Sequence, residues 1–523
     1  MPRYFTEGFR VNKEIIRRQM ASRKRRLARR LDKFNFPAVD GPVLGATNIQ
    51  FELADRAVGT SYGGIGLVHQ LARELGLAEE IDRRLHLFKI HLPYHESDHV
   101  LSLAYNAICA GTCLQDLELR RQDEAYLNAL GAERIPDPTT AGDFCRRFQR
   151  HDLSNLQAAI DAARLKVWAR QPAEFFAEAR IEADGTVVGT TGECKEGMDL
   201  SYKGVWGYHP LVLTLANTGE VLRLINRSGN RPSHEGAAEK FDECIALCQQ
   251  AGFEKILLRG DTDFSQFAHL DRWHEQGVSF VFGVDCTCPR QILADDLPES
   301  AWKTLERPSR YEVKTKPRSK PEQVKQQIVE ERGYKDIRLT CELVAEMKYR
   351  PGCSKHTYRL IVLRKELEVR HPREQRLFDD YRYFFYIAND WESTPADIVF
   401  SANDRCNQEN IVAQLNSVRA LHAPVDNLLS NEAYMLSSSL AWNLKAWLAL
   451  RLPDTAGRWS AKHRAQKQKL LKMEFRTFVN SWMRIPCQVL KTGGRLVCRL
   501  LAWNDWQDVF FRLVEQVCHP IRR

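Results

Sequence analysis

Three acidic residues sit where a divalent-metal nuclease core needs them: Asp184, Asp261 and Glu409. Asp184 closes the strand-like run Arg180-Ile-Glu-Ala-Asp, which breaks at Gly185. Asp261 follows Ile256-Leu-Leu-Arg-Gly, an apolar run of the kind buried on both faces of a sheet. Glu409 lies in Asn403-Asp-Arg-Cys-Asn-Gln-Glu-Asn-Ile-Val-Ala-Gln-Leu, where Ile411, Val412 and Leu415 recur at helical spacing. Long stretches of chain separate the three, so only folding can bring them together. Converging carboxylates repel one another, and such a cluster makes sense when Mg²⁺ occupies it. The chemistry implied is phosphoryl transfer. Taken singly, each residue has a plainer reading: Asp184 as a turn residue, Asp261 or Asp263 as a helix cap, Glu409 as a surface helix residue.

The elements that must position these residues follow in a telling order. Ala179–Ala183 reads as a strand, Gly207–Ala216 as a second and Glu220–Ile225 as a third, with Asn217-Thr-Gly as a turn. Short connections favour an antiparallel meander. Pro232-Ser-His-Glu then opens a helix with a Ser cap, running through Phe241, Ile245 and Leu247 to a stop at Gly252. His234 and Glu235, at that helix start, are either near the site or simple caps. Lys255–Arg259 is a strand, Ser265–Gln276 a helix and Val278–Val284 a strand. This β-β-β-α-β-α-β order matches an α/β fold of the ribonuclease-H-like kind, a mixed five-stranded sheet with helices. By that analogy, strands one and four are neighbours and carry Asp184 and Asp261 side by side.

Several longer blocks sharpen the reading: Ile135-Pro-Asp-Pro-Thr-Thr-Ala-Gly-Asp-Phe, Tyr202-Lys-Gly-Val-Trp-Gly-Tyr-His-Pro-Leu, Asn226-Arg-Ser-Gly-Asn-Arg-Pro-Ser-His-Glu-Gly-Ala and Leu258-Arg-Gly-Asp-Thr-Asp-Phe-Ser. With them the chain, from about Gln50 to about Arg512, resembles DDE transposases of bacterial insertion sequences, and in particular the insertion-sequence group called thirteen-eighty. The resemblance implies that Asp184, Asp261, at the head of an Asp-x-x-Phe turn, and Glu409, beyond an insertion, are catalytic metal ligands. Related transposases carry a Tyr-x-x-Arg-x-x-x-Glu-x-x-x-x-x-x-Lys signature. Here Arg405 and Glu409 fit it, while Ala402 stands for the tyrosine and Asn416 for the lysine.

Composition agrees with that class. The chain has 523 residues, and Lys+Arg 76 against Asp+Glu 67 gives a net charge of +9. The excess matters through its placement. Arg10–Lys33, including Arg25 and Arg26, is basic with only two acidic residues, which within a DNA-processing chain favours phosphate contact over a solvated helix or a transit peptide. Fourteen scattered cysteines without a Cys-x-x-Cys pair point to a reducing compartment and away from zinc. With no apolar run long enough for a bilayer, a soluble protein of the bacterial cytoplasm, nucleoid-associated when bound to DNA, is expected.

The chain divides into a basic arm (1–47), a helical DNA-binding region (48–175), the first part of the catalytic core (176–288), a β-rich insertion (289–395), the second part of the core with the glutamate helix (396–455) and a basic C-terminal region (456–523). Within the helical region, Ile65–Leu77 has an amphipathic helical period with a glycine, Gly76, near its end. Thr139 or Thr140 is expected to cap the helix carrying Arg146 and Arg147, whose charges face either phosphates or solvent. In the insertion, Arg338–Val344, Tyr358–Leu363 and Tyr381–Ile387 read as strands, and Pro308–Lys325 as a basic loop. Tyr434–Leu450 reads as an apolar helix. Gly493-Gly494 marks a hairpin whose Lys491, Arg495 and Arg499 either contact a DNA end or form an ordinary basic surface.

The expected chemistry is in-line displacement assisted by two Mg²⁺ ions, with Mn²⁺ able to substitute. Asp184 would bridge both ions, Asp261 would hold one and Glu409 would complete the second site. The expected partners are double-stranded DNA, as inverted-repeat ends and target, and a second copy of the chain in the synaptic complex. Two other classes stand beside this one: a ribonuclease-H-like nuclease or junction resolvase without strand transfer, and a DNA-binding regulator that has lost its chemistry.

Overall fold

A computed structural model describes residues 13–31, 59–89, 93–192, 194–307, 336–370, 380–455, 457–492 and 495–518. The basic loop expected at Pro308–Lys325 and the arm either side of its helix lie outside these residues.

The basic run forms helix α1 (Lys13–Leu31). After a short strand β1 (Gly59–Thr60) comes a helical layer: α2 (Ile65–Glu74), α3 (Leu77–Arg84), α4 (Glu96–Ile108), α5 (Leu117–Arg121), α6 (Glu124–Leu130), α7 (Pro138–Arg146) and α8 (Arg150–Trp168). The amphipathic period from Ile65 forms α2 and stops just before Gly76, which at φ 66 takes a left-handed conformation that redirects the chain into α3. The cap of α7 is Asp137, not Thr139 or Thr140: its carboxylate accepts from the Thr140 N–H at 2.9 Å, and Pro138 opens the first turn with no N–H to satisfy.

The sheet begins with β2 (Ala179–Gly185). The segment expected as one strand over Gly207–Ala216 divides at His209-Pro210, because proline cannot donate to a ladder. Its first part, β5 (Trp206–Tyr208), pairs with β3 (Val188–Gly189) and β4 (Asp199–Leu200) in a small antiparallel sheet. Its second part, β6 (Leu211–Leu215), enters the main sheet beside β7 (Glu220–Ile225). Helix α9 (Ala237–Ala251) starts at Gly236, four residues past Pro232, and stops at Gly252; neither Ser233 nor its neighbours cap it. Then follow β8 (Ile256–Gly260), α10 (Phe267–Glu275) and β9 (Ser279–Val284).

These strands line up as β7-β6-β2-β8-β9. The first three pair antiparallel, while β2, β8 and β9 run parallel. The insertion opens with a helix, α11 (Cys288–Asp295), and a short strand, β10 (Lys303–Thr304). Its long strands β11 (Asp336–Tyr349), β12 (Tyr358–Arg370) and β13 (Asp380–Ala388) do not form a sheet of their own. β13 pairs antiparallel with β9, Phe385 opposite Val284, so the main sheet grows to nine strands in the order β10-β11-β12-β13-β9-β8-β2-β6-β7. Pairing β9 in this way removes an exposed edge from the core.

The chain returns as α12 (Pro395–Asp404), α13 (Cys406–Ser417), α14 (Leu428–Leu450), α15 (Ser460–Leu471), α16 (Phe475–Phe478), the hairpin β14 (Cys487–Thr492) and β15 (Arg495–Leu500), and α17 (Gln507–Cys518). Helix α14 starts six residues before the expected Tyr434 and is buried from Ser430 to Leu450. It lies between the helical layer and the sheet, and one hydrophobic core runs through all three. A polar network crosses that core: the fully buried Glu220 accepts from Arg164 Nε at 3.2 Å, Trp168 Nε1 at 3.0 Å, Thr218 Oγ1 at 2.7 Å and Trp447 Nε1 at 2.7 Å. Cys244 and Cys248 are buried on α9. Among the described residues, no helix is long and apolar enough to cross a membrane.

Candidate active site

The register of β2 against β8 builds the site. Glu182 is paired with Arg259 across the parallel ladder. Side chains alternate along a strand, so two residues further on Asp184 and Asp261 leave the same face at the same end. The buried pair beneath them, Glu182 with Arg259 Nη2, holds the two strands together, and Arg259 Nη1 donates to the Ser401 carbonyl at 2.7 Å on α12.

Helix α13 lies over this face. Gln408, fully buried, accepts from Thr214 Oγ1 and donates to the Val212 carbonyl at 3.0 Å, clamping the helix to β6. Asn416 Nδ2 donates to Thr186 Oγ1 at 3.0 Å, two residues beyond Asp184. Two helices meet at Arg405, which ends α12 and precedes α13 without a side-chain cap. Its guanidinium turns into the acidic cluster: Nη2 donates to Glu409 Oε1 at 3.3 Å, and Nη1 lies 3.8 Å from Asp261 Oδ2. Arg405 thus pairs with the carboxylates themselves.

Asp184 is pushed up from 3.8 to about 7, first by burial and then by Asp261, with Arg405 pulling it back and Glu409 adding a smaller push. Asp261 is also raised by burial, against Arg405. The three expected residues therefore share one electrostatic neighbourhood. They do not close to a single-ion cage: among the described residues, the trio whose ligand atoms lie within 4.8 Å of one another is Asp82, His95 and Glu96. That trio is structural. Asp82 accepts from the Ser97 N–H and hydroxyl, both at 2.8 Å, and Glu96 accepts from the N–H groups of Leu87 and Phe88.

Capping and catalysis were alternatives for Asp261, and Asp261 does cap: its Oδ1 accepts from the Asp263 N–H at 3.0 Å over a one-turn 3₁₀ helix, Thr262–Phe264. Asp263 is exposed. Behind Asp184, Gly185 leaves room for three side chains. A Cβ there would lie 2.8 Å from His209 Nε2, 3.3 Å from Arg227 Nη2 and 3.4 Å from Ser233 Cβ. Arg227, buried, donates to the carbonyls of His209, Pro232, Ser233 and Glu235, so it shapes the loop beside the site. His234 and Glu235 belong to that loop: the His234 carbonyl accepts from Gln266 at 2.6 Å, and the Glu235 carboxylate lies 3.6 Å from Arg231. Glu182, Arg259, His209, Arg227 and Gln408 were missed from sequence. A polar Glu182 at the same parity as Asp184 was the one local signal.

The other basic residues are scattered. Arg146 on α7 is exposed but pairs with Asp426 at 3.0 Å and Asp143 at 2.7 Å, and Arg147 lies 5.2 Å from the Phe88 ring centroid. Arg25 and Arg26 are exposed on α1, which docks through Arg23 to the carbonyls of Leu500 and Ala502. The strands expected either side of Gly493-Gly494 pair antiparallel, with Arg499 exposed on β15; the two glycines themselves and the side chains of Lys491 and Arg495 lie outside the described residues.

A family model described as transposase DDE domain group 1 matches residues 44–517. The chain belongs to that family. It is accordingly a DDE transposase, a class of enzyme that uses divalent metal to cleave and transfer DNA strands. A search of curated proteins finds no match. Among solved structures, the piggyBac transposase in a cryo-EM synaptic complex with hairpin DNA shares 11% identity, over 81% of this chain and 84% of that chain, at a TM-score of 0.34. That likeness is too distant to inform the site.

Proposed function

We propose that this transposase belongs to the thirteen-eighty group of bacterial insertion sequences and cleaves and joins DNA ends with Asp184, Asp261 and Glu409 as its metal ligands. The observation that carries the reading is the β2–β8 register, which sets two carboxylates side by side under the glutamate helix. Strand order β7-β6-β2-β8-β9, with one antiparallel half and one parallel half, supports a ribonuclease-H-like core. The site suits a hard divalent cation such as Mg²⁺ or Mn²⁺, because every donor is a carboxylate oxygen and Asp184 is left short of positive charge. Two such ions, when bound, supply Lewis acidity to the attacking and leaving oxygens of an in-line displacement.

The chain's own residues prepare that chemistry. Asp184 and Asp261 are held at the strand ends by the Glu182–Arg259 pair beneath them. Gln408 and Asn416 fix α13 against the strands, and Arg405 links Glu409 to the Asp261 side of the cluster. Arg405 neutralises the carboxylates until metal and DNA phosphate take its place, and then serves the phosphate. Arg25, Arg26, Lys491, Arg495 and Arg499 are proposed phosphate contacts, with Arg146 and Arg147 as further ones once their present partners release them. A dimer bridging two inverted-repeat ends is the proposed assembly, with the helical region and the C-terminal basic region holding the ends and the residue boundaries above as its parts. The cytoplasm is its proposed compartment.

The test compares Asp261→Asn with Asp263→Asn on a labelled element end in Mg²⁺. Asp261→Asn should abolish cleavage while leaving end binding intact. Asp263→Asn should keep activity, since the N–H that Asp261 accepts is still present. A dead Asp263→Asn beside an active Asp261→Asn would overturn the ligand assignment.

A further inference from the structure

The small sheet inserted between β2 and β6 carries more apolar surface than its size explains. Its hairpin turns at Gly204, where φ is 71, and exposes Tyr202 at 76% and Trp206 at 55%, with Leu200 and Val205 also outside the core. Leaving large rings in water is costly for a soluble domain and marks an interaction surface. The hairpin is held in shape. Ser201 N–H donates to the Val205 carbonyl at 2.9 Å, Gly204 N–H to the Ser201 carbonyl at 2.8 Å, and Tyr208 hydroxyl to the Glu196 carbonyl at 2.8 Å. Asn230 ties Asp199 to the loop beside the site at 2.5 Å. A fixed platform binds with little ordering cost.

Position and charge select the occupant. Tyr202 lies 6.3 Å, ring to ring, from His209, and His209 is the residue that backs Gly185. The exposed ring therefore lies one side chain away from Gly185, the residue that follows Asp184. The Lys203 ammonium sits 5.3 Å from the Tyr202 ring, and Arg231 is exposed on the adjoining loop, where it lies 3.6 Å from the likewise exposed Glu235. Aromatic faces interleaved with cations next to a phosphoryl-transfer site fit a nucleobase and its backbone better than a protein surface. We propose that Tyr202 and Trp206 form a stacking platform for an unpaired nucleobase adjoining the phosphodiester that is cut. This rests on the carboxylate site proposed above.

The experiment is binding of the full chain, in chelator so that no strand is cut, to a labelled duplex with a short unpaired 3′ extension and to the blunt duplex of the same sequence. The wild type should bind the extended duplex about tenfold more tightly, the worth of one stacked base. Tyr202→Ala with Trp206→Ala should erase that preference and leave blunt-duplex affinity unchanged, while Tyr202→Phe with Trp206→Phe should keep it. Equal binding of both duplexes by the wild type, or an alanine pair that retains the preference, overturns the platform and leaves the carboxylate site untouched. An alanine pair that changes the mass by light scattering, with the preference intact, makes the hairpin a subunit contact and also overturns it. Binding to neither duplex overturns the platform, since no nucleobase is then held, and leaves the carboxylate site to the cleavage test.

Discussion

Removing the charge of Asp184 should stabilise the metal-free protein while destroying its activity. Asp184 is raised from 3.8 to about 7 by burial and by Asp261 and Glu409, against the opposing pull of Arg405. The folded chain therefore holds this proton to higher pH than the unfolded chain does. The associated stability is complete below pH ~3.8 and is lost as pH rises through about 7. The difference of about 3 units corresponds to a ceiling of roughly 4 kcal/mol at 1.36 kcal/mol per unit. Partial solvation of the cluster reduces this to an expected gain of about 1–3 kcal/mol for Asp184→Asn at pH 8. Unfolding entropy near 2.1 cal/mol/K per residue, over 523 residues, converts each kcal/mol into about 1 °C, so Tm should rise by roughly 1–3 °C in chelator. The gain should shrink at pH 5, where the wild-type carboxyl is already protonated. Mg²⁺ should raise the wild-type Tm by mass action and leave the variant unmoved. Scanning calorimetry at the two pH values, with chelator and with Mg²⁺, reads all three effects. A variant that melts lower than wild type in chelator at pH 8, or that keeps the Mg²⁺ shift, would refute the reasoning.

Three further outcomes follow from other parts of the molecule. Glu220→Leu should cost about 3–5 kcal/mol in urea unfolding, because it strips the buried Arg164, Trp168 and Trp447 of their shared acceptor; Glu220→Gln should cost less. Burial pushes Glu432 up to about 7 despite Arg150, so its contribution to stability falls as pH rises from about 4.5 to about 7; Glu432→Gln should flatten Tm against pH across that window, and an unchanged slope would show that Glu432 titrates normally. Deleting residues 1–33 should weaken DNA binding and lower the slope of log K against log salt by roughly one per lost phosphate contact; an identical slope would show that Arg25 and Arg26 do not touch DNA.

Much of the architecture was legible because it is written locally. Apolar runs at Ile256–Arg259 and Val278–Val284, the turn at Asn217-Thr-Gly and the helix stop at Gly252 each constrain their own backbone, and all four occur as expected. Boundaries failed where a neighbouring residue outbid the obvious one, as Asp137 did at α7 and Pro210 did between β5 and β6. The insertion's strands were legible, but their partner was not: joining β13 to β9 depends on an open sheet edge that no local pattern describes.

The site divides in the same way. Sequence by itself determined which carboxylates were candidates and the elements that carry them, since residue type and periodicity are properties of short segments. Only the tertiary structure decided that Asp184 and Asp261 share a strand-end face, because that follows from the pairing of Glu182 with Arg259 across a parallel ladder. It alone turned Arg405 toward Glu409 and gave Asn416 to Thr186. It also raised Asp184 toward neutrality, since burial and mutual repulsion arise only when groups distant in the chain are brought together and cut off from water.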